Sequence, residues 1–147
     1  MPPVELTLRL LLAAGLGAAI GIERELRQKP AGLRTNILIG VGSALFTTVS
    51  IQLAAASGTP DRIAAQIVTG IGFLGAGAIL RSGGNIHGMT TAATIWVNAG
   101  IGMAAGAGEF AMASVATAIT LLVLGVLPPV ERFFERHSGL PNPNRHE

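Results

Sequence analysis

The chain has no cysteine, no tyrosine and a single tryptophan, Trp96. Without cysteine there is no disulfide, no thiolate nucleophile and no thiolate metal site. Charge is scarce too. Charged residues make up 12% of the 147 residues, about half of the ~25% found in an ordinary soluble domain. Between Thr35 and Val130 there are four: Asp61, Arg62, Arg81 and Glu109. No long basic run and no basic helix interleaved with aromatics is present, so no nucleic-acid partner is expected. His87, His137 and His146 are scattered and form no metal motif. No Ser-His-Asp set sits at a usable spacing, so neither an enzyme nor a cofactor is expected.

What remains is apolar. Half of the residues are hydrophobic and 20 are glycine; glycine is thus roughly twice its usual frequency of about 7%. A soluble fold would have to bury nearly every segment in one core, and a chain this short has too little interior. Lipid removes that difficulty. Glycine without a collagen period, placed in apolar runs, points to close helix contacts.

The charges cut the chain into five apolar segments, about Leu6–Ile22, Thr35–Ala56, Ile63–Leu80, Thr90–Ala107 and Phe110–Leu127. Each approaches the roughly 17–25 residues that a helix needs to cross the hydrocarbon core. The predicted fold is all-α, a polytopic membrane protein of five transmembrane helices. The first segment runs into Glu23-Arg24-Glu25 without a clear cleavage site, so it reads as a retained span and not a signal peptide. Arg9 near its start is expected to snorkel to the interface. Thr59 and Pro60 suit a helix start, Asn85 or Thr90 is a candidate cap for the fourth helix, and Pro128-Pro129 is expected to end the last span. Arg24, Arg27, Lys29, Arg34, Arg81 and the arginines after residue 130 fall on one side, Arg9 and Arg62 on the other. The positive-inside rule then predicts the amino terminus outside and the carboxyl terminus in the cytoplasm. Residues 1–137 form one membrane domain in this reading. Residues 131–137 extend it as a short interfacial helix, and 138–147 are a disordered cytoplasmic tail.

Three stretches carry a resemblance. They are 17–26 followed by 29–36 (GAAIGIEREL, KPAGLRTN), 70–80 (GIGFLGAGAIL) and 88–97 (GMTTAATIWV). In order and spacing they resemble the MgtC/SapB family of bacterial inner-membrane proteins, over roughly residues 5 to 127. The resemblance implies a multi-pass inner-membrane protein linked to growth in low magnesium and to virulence. It also implies modulation of other membrane proteins, such as an ATP synthase or a transporter. The chain is expected to comprise the membrane domain alone, without a cytoplasmic carboxy-terminal domain.

The candidate site residues are Glu23, Glu25, Arg34, Asn36, Arg81 and Asn98. Glu23 at the exit of the first span and Arg34 at the entry of the second could pair across the hairpin. That pair is either a clasp or part of an ion or partner site. Asn98 either bonds a neighbouring helix or is the central group of a polar path. Gly17 and Gly21, Gly72 and Gly75, and Gly102 and Gly106 are helix-packing candidates, either inside one protomer or at a homo-oligomer seam. Gly70-x-Gly-x-x-Gly75 matches a dinucleotide fingerprint by letter only, since no strand precedes it. No span carries a mid-membrane Asp, Glu or Lys, and no paired carboxylates share a helix face, so the sequence displays no magnesium site. His87 is a loop residue or a reporter of pH. Three functions follow: a modulator acting by helix contact in the bilayer, a small cation or solute transporter or channel, or a passive accessory subunit.

Overall fold

The computed structural model describes residues 1–57, 61–82 and 85–138. Five helices run in order: α1 (Pro3–Leu26), α2 (Leu33–Ser57), α3 (Asp61–Gly77), α4 (Met89–Ala107) and α5 (Phe110–Ser138). Between α3 and α4 lies an antiparallel hairpin, β1 (Leu80–Ser82) and β2 (Asn85–His87), with Arg81 opposite Ile86. Residues 139–147 of the predicted tail, and the Thr59-Pro60 helix start, lie outside the described residues.

Local chemistry explains the boundaries. Pro3 sits in the first turn of α1, where a missing N–H costs nothing, and Glu5 faces the positive helix end. At the far end Gln28 adopts φ 54°. Its N–H reaches the Glu25 carbonyl at 3.0 Å, and the Lys29 N–H reaches that of Arg24 at 2.9 Å. This is a left-handed helix stop built on a side-chain-bearing residue, with Pro30 beyond it to prevent continuation. Glycine performs the same task for α4. Gly108 takes φ 89°, and Glu109 donates to the Ala104 carbonyl at 2.9 Å. The start of α4 differs from expectation. Neither Asn85 nor Thr90 caps it; Gly88 holds the N-cap position at φ 86° without a side-chain bond. A Cβ on Gly88 would lie 2.0 Å from the Ala78 carbonyl oxygen, so the turn admits only glycine.

The prediction of five crossings is corrected. Among the described residues three helical segments are long and apolar enough to span: Pro3–Leu26, Leu33–Ala54 and Phe110–Val130. The third predicted span fails on length. Its helix, Asp61–Gly77, has 17 residues, its apolar stretch among the described residues is Ala65–Gly77, and Leu80 belongs to a strand. At about 1.5 Å per residue such a stretch falls well short of a ~30 Å hydrocarbon core. The fourth has 19 residues and no charge, so what it lacks is apolarity: Thr90, Thr91, Thr94, Asn98 and its glycines dilute it. The predicted direction rested on the charge bias between the loops, and the structure does not determine it.

The last helix is also corrected. Pro128 and Pro129 do not end α5, which continues to Ser138. The prolines remove two N–H donors, and the Gly125 carbonyl freed by Pro129 instead faces Arg27 Nη2 at 3.4 Å.

Helix α4 is the hub and contacts each of the other four helices. The apolar core is made of small or branched residues. Ala13, Ile20, Ala44, Ile101, Ala105, Ala113 and Leu124 form one cluster, and Ile39, Ile71, Ile95 and Ala99 another.

Candidate functional site: the polar seam of α1, α2 and α4

Helices α1, α2 and α4 meet backbone to backbone. A Cβ added at Gly17 would stand 2.6 Å from the Asn36 carbonyl oxygen, and one at Gly21 would stand 2.7 Å from Leu33 Cα. Added at Gly102 or Gly106, it would lie 2.4 Å from the Gly40 or the Ala44 carbonyl oxygen. In lipid such approach replaces the hydrophobic force between helices with dispersion contact. Gly75 has ordinary contact with Ala92, and Gly72 faces open space.

Polar side chains line the same contact. Asn36 and Asn98 are both fully buried. Asn98 Nδ2 donates to the Asn36 carbonyl oxygen at 2.8 Å and to Asn36 Oδ1 at 3.1 Å. Asn36 Nδ2 in turn donates to the carbonyls of Ala31 and Gly32. One pair of amides therefore ties the middle of α4 to the α1–α2 turn, where Ala31 itself sits at φ 57°. Asn98 Oδ1 receives no hydrogen bond among the described residues. An unmet buried acceptor costs about 1–3 kcal/mol.

Arginines stand at both ends. Arg24 is buried, and its Nη2 donates to Thr91 Oγ1 at 2.6 Å, joining α1 to α4. At the opposite end Arg9 Nη1 donates to the Gly106 carbonyl at 2.5 Å, while Nη2 pairs with Glu5. Thr48 Oγ1 shares that carbonyl at 3.2 Å. Gly106 lies in the last turn of α4, whose carbonyls lack helical partners, so Arg9 is a cap.

The expected Glu23–Arg34 clasp is not formed. Glu23 Oε1 lies 2.6 Å from Nε of Arg27, one turn on. This is an ion pair between residues one helical turn apart. Separation along the helix explains the choice: residues four apart face each other without any dependence on the turn. Arg34 is exposed on the first turn of α2. The carboxylate that does reach across the hairpin is Glu25, whose Oε2 accepts the Leu33 N–H at 3.1 Å and so caps α2. Arg81 lies in β1, away from this cluster in sequence; its side chain is outside the described residues.

The Arg24–Thr91 bond was not foreseen from sequence. A signal existed: Gly17, Ile20, Gly21 and Arg24 share one helical face, so the glycine pair that marks the packing face also marks Arg24. Among the described residues no group of three His, Cys, Asp or Glu is placed to hold a metal ion.

The MgtC family model matches residues 10–133. YhiD of Escherichia coli K12, provisionally named a magnesium transporter, is 52% identical over 129 residues, covering 83% of this chain and 60% of YhiD. Protein MgtC of Salmonella typhimurium LT2 is 55% identical over 114 residues, covering 78% of this chain and 48% of the relative. Protein MgtC of Brucella abortus is 48% identical over 120 residues, covering 82% and 50%. The chain thus spans about half to three-fifths of the length of these relatives. No solved structure matches. With matched residues running from the first helix into the last, and apolar helices of membrane-crossing length among them, this chain belongs to the MgtC family and is a multi-pass protein of the bacterial inner membrane.

Proposed function

We propose that the protein works by contact with other membrane proteins in the bilayer and moves no ion itself. The family is associated with magnesium limitation and virulence, and a modulatory role fits this chain's construction. The observation that carries the reading is the closure of the polar seam. Gly102 meets Gly40 and Gly106 meets Ala44 at backbone contact, which leaves no width for a hydrated cation. Arg24, buried at one end of that seam, adds a positive charge unfavourable to a cation. The outward faces suit a role in contact: Met112, Val115, Ile119 and Leu122 on α5 and Phe73 on α3 are exposed. Specificity would come from the exposed charges beside the α1–α2 turn, Glu25 and Arg34. Self-association through the outward apolar helices is part of the same proposal.

A second reading, a small cation or solute transporter, draws on the unpartnered Asn98 Oδ1 and on the name given to YhiD. One experiment separates the two. The protein is reconstituted in sealed liposomes, and magnesium and monovalent cation flux is measured beside an Asn98→Ala variant. A photo-crosslinking residue at Ile119 is carried through the same preparation and through native membranes. Flux no greater than that of empty liposomes, with Ile119 crosslinks to another membrane protein or to a second copy, is expected. Saturable flux lowered by Asn98→Ala would replace the proposal with the transport reading.

A further inference from the structure

The tandem prolines of α5 and the arginine facing them carry an inference about movement. Proline has no N–H, so Pro129 leaves the Gly125 carbonyl without its donor four residues on, and Pro128 does the same to Leu124. Either water or another group of the protein has to supply the missing donor. Arg27 supplies one. Its Nη2 lies 3.4 Å from the Gly125 oxygen, while its Nε stands 2.6 Å from Glu23 on α1. A single guanidinium therefore bridges the end of α1 to the turn of α5 whose carbonyls the prolines leave without helical donors.

We propose that Arg27 and Pro129 form a latch, and that the Pro128-Pro129 turn is a hinge which the latch holds closed. Three features suit a reversible contact better than a fixed one. The bond is long for a charged donor, where about 2.7–2.9 Å is usual. The Arg27 side chain is 36% exposed, unlike the buried Arg24. Arg27 also has a second partner in Glu23, so opening the latch does not strand its charge. In the closed state the last part of α5, from Val130 to Ser138, is held relative to the α1–α2 turn. In the open state Arg27 stays with Glu23, the Gly125 carbonyl takes water, and that segment swings about the prolines. The device does not depend on the modulatory role proposed above.

The chain has no native cysteine, so spin labels can be placed freely. Ile22→Cys on α1 and His137→Cys in the last turn of α5 report the distance across the latch by pulsed electron resonance, on the full chain in lipid nanodiscs. One dominant distance is expected. Arg27→Ala is expected to add a second population, with the closed fraction falling about fivefold relative to the open one, as for loss of one modest hydrogen bond. Pro129→Ala restores the helical N–H, so adding it to Arg27→Ala is expected to return the single distance. Glu23→Gln removes the ion pair but not the carbonyl contact, and is expected to keep the closed distance. It also provides a test that needs no proline change, and circular dichroism confirms that each variant is helical. An unchanged distribution in Arg27→Ala overturns the latch. So does a failure of Pro129→Ala to rescue it, or opening by Glu23→Gln equal to that by Arg27→Ala, since the ion pair would then be what holds α5.

Discussion

Helices α2 and α5 are both long and apolar enough to cross a membrane, yet they are built in opposite senses. Of the apolar window of α2, 39% is buried inside the protein; of that of α5, 17%. The buried positions of α2 include Asn36, Ser43, Thr47, Thr48 and Ser50. The exposed positions of α5 include Met112, Val115, Ile119 and Leu122. Polar groups are inside and large apolar groups outside, the reverse of a water-soluble domain. Where the solvent is hydrocarbon, turning a leucine inward gains little, whereas turning an amide or a hydroxyl inward lets it find a partner. Backbone approach at glycine and a few hydrogen bonds hold the α1–α2–α4 interior; α5 is free to offer side chains to lipid or to a partner.

The strongest way to break this contrast is to widen the inner contact. Gly106→Val would push a side chain against the Ala44 backbone, where even a Cβ would stand 2.4 Å from oxygen. A loss of about 3 kcal/mol is expected from such overpacking, read as an earlier unfolding midpoint in an SDS titration. Gly72 faces open space, and Gly72→Ala should leave that midpoint unchanged or raise it by up to ~1 kcal/mol through helix propensity. Equal losses at the two positions would remove the distinction between inner and outer faces.

Next comes Arg24. Its charged bond to Thr91 at 2.6 Å is of the kind that contributes about 1.5–3 kcal/mol. Arg24→Met should cost roughly 2 kcal/mol in the same titration, on the scale of that bond. Arg24→Lys should not restore it, because a compact ammonium lacks the guanidinium fork. Asn98→Ala is expected to cost less, about 1 kcal/mol, in line with interhelical polar contacts in membranes. It removes the two bonds to Asn36 but also relieves the unmet Oδ1. The smallest effect belongs to α5. Ile119 is 58% exposed, and Ile119→Ala should stay within about 0.5 kcal/mol, while changing any crosslink made from that face.

The comparison also explains where sequence reading succeeded and where it stopped. The helices α1, α2 and α5 are legible because their apolar runs are long and bounded by Pro3, Glu23-Arg24-Glu25 and Gly108-Glu109. Those same runs over-counted the crossings. Helix α4 reads like a span by length, but its threonines and Asn98 belong to an inner helix that touches all four others. The prolines of α5 read as a stop because a donor from another helix, Arg27, cannot be seen along one chain. The Glu23–Arg34 clasp read well as a hairpin pair, but Arg27 one turn away was nearer to Glu23.

The sequence by itself determined the solvent: a chain so poor in charge and so rich in glycine folds in lipid, as helices, with motifs that mark its family. It also marked Gly17, Gly21, Gly102 and Gly106 as unusual. Only the tertiary structure decided which helix is central, which glycines touch a neighbour, and which charges meet. The reason is physical. In a membrane, hydrophobicity is the same toward lipid and toward the core, so the periodicity that sorts inside from outside in water carries little information. What sorts them here is backbone proximity and hydrogen-bond pairing between residues more than 60 apart, such as Arg24 with Thr91 and Asn36 with Asn98.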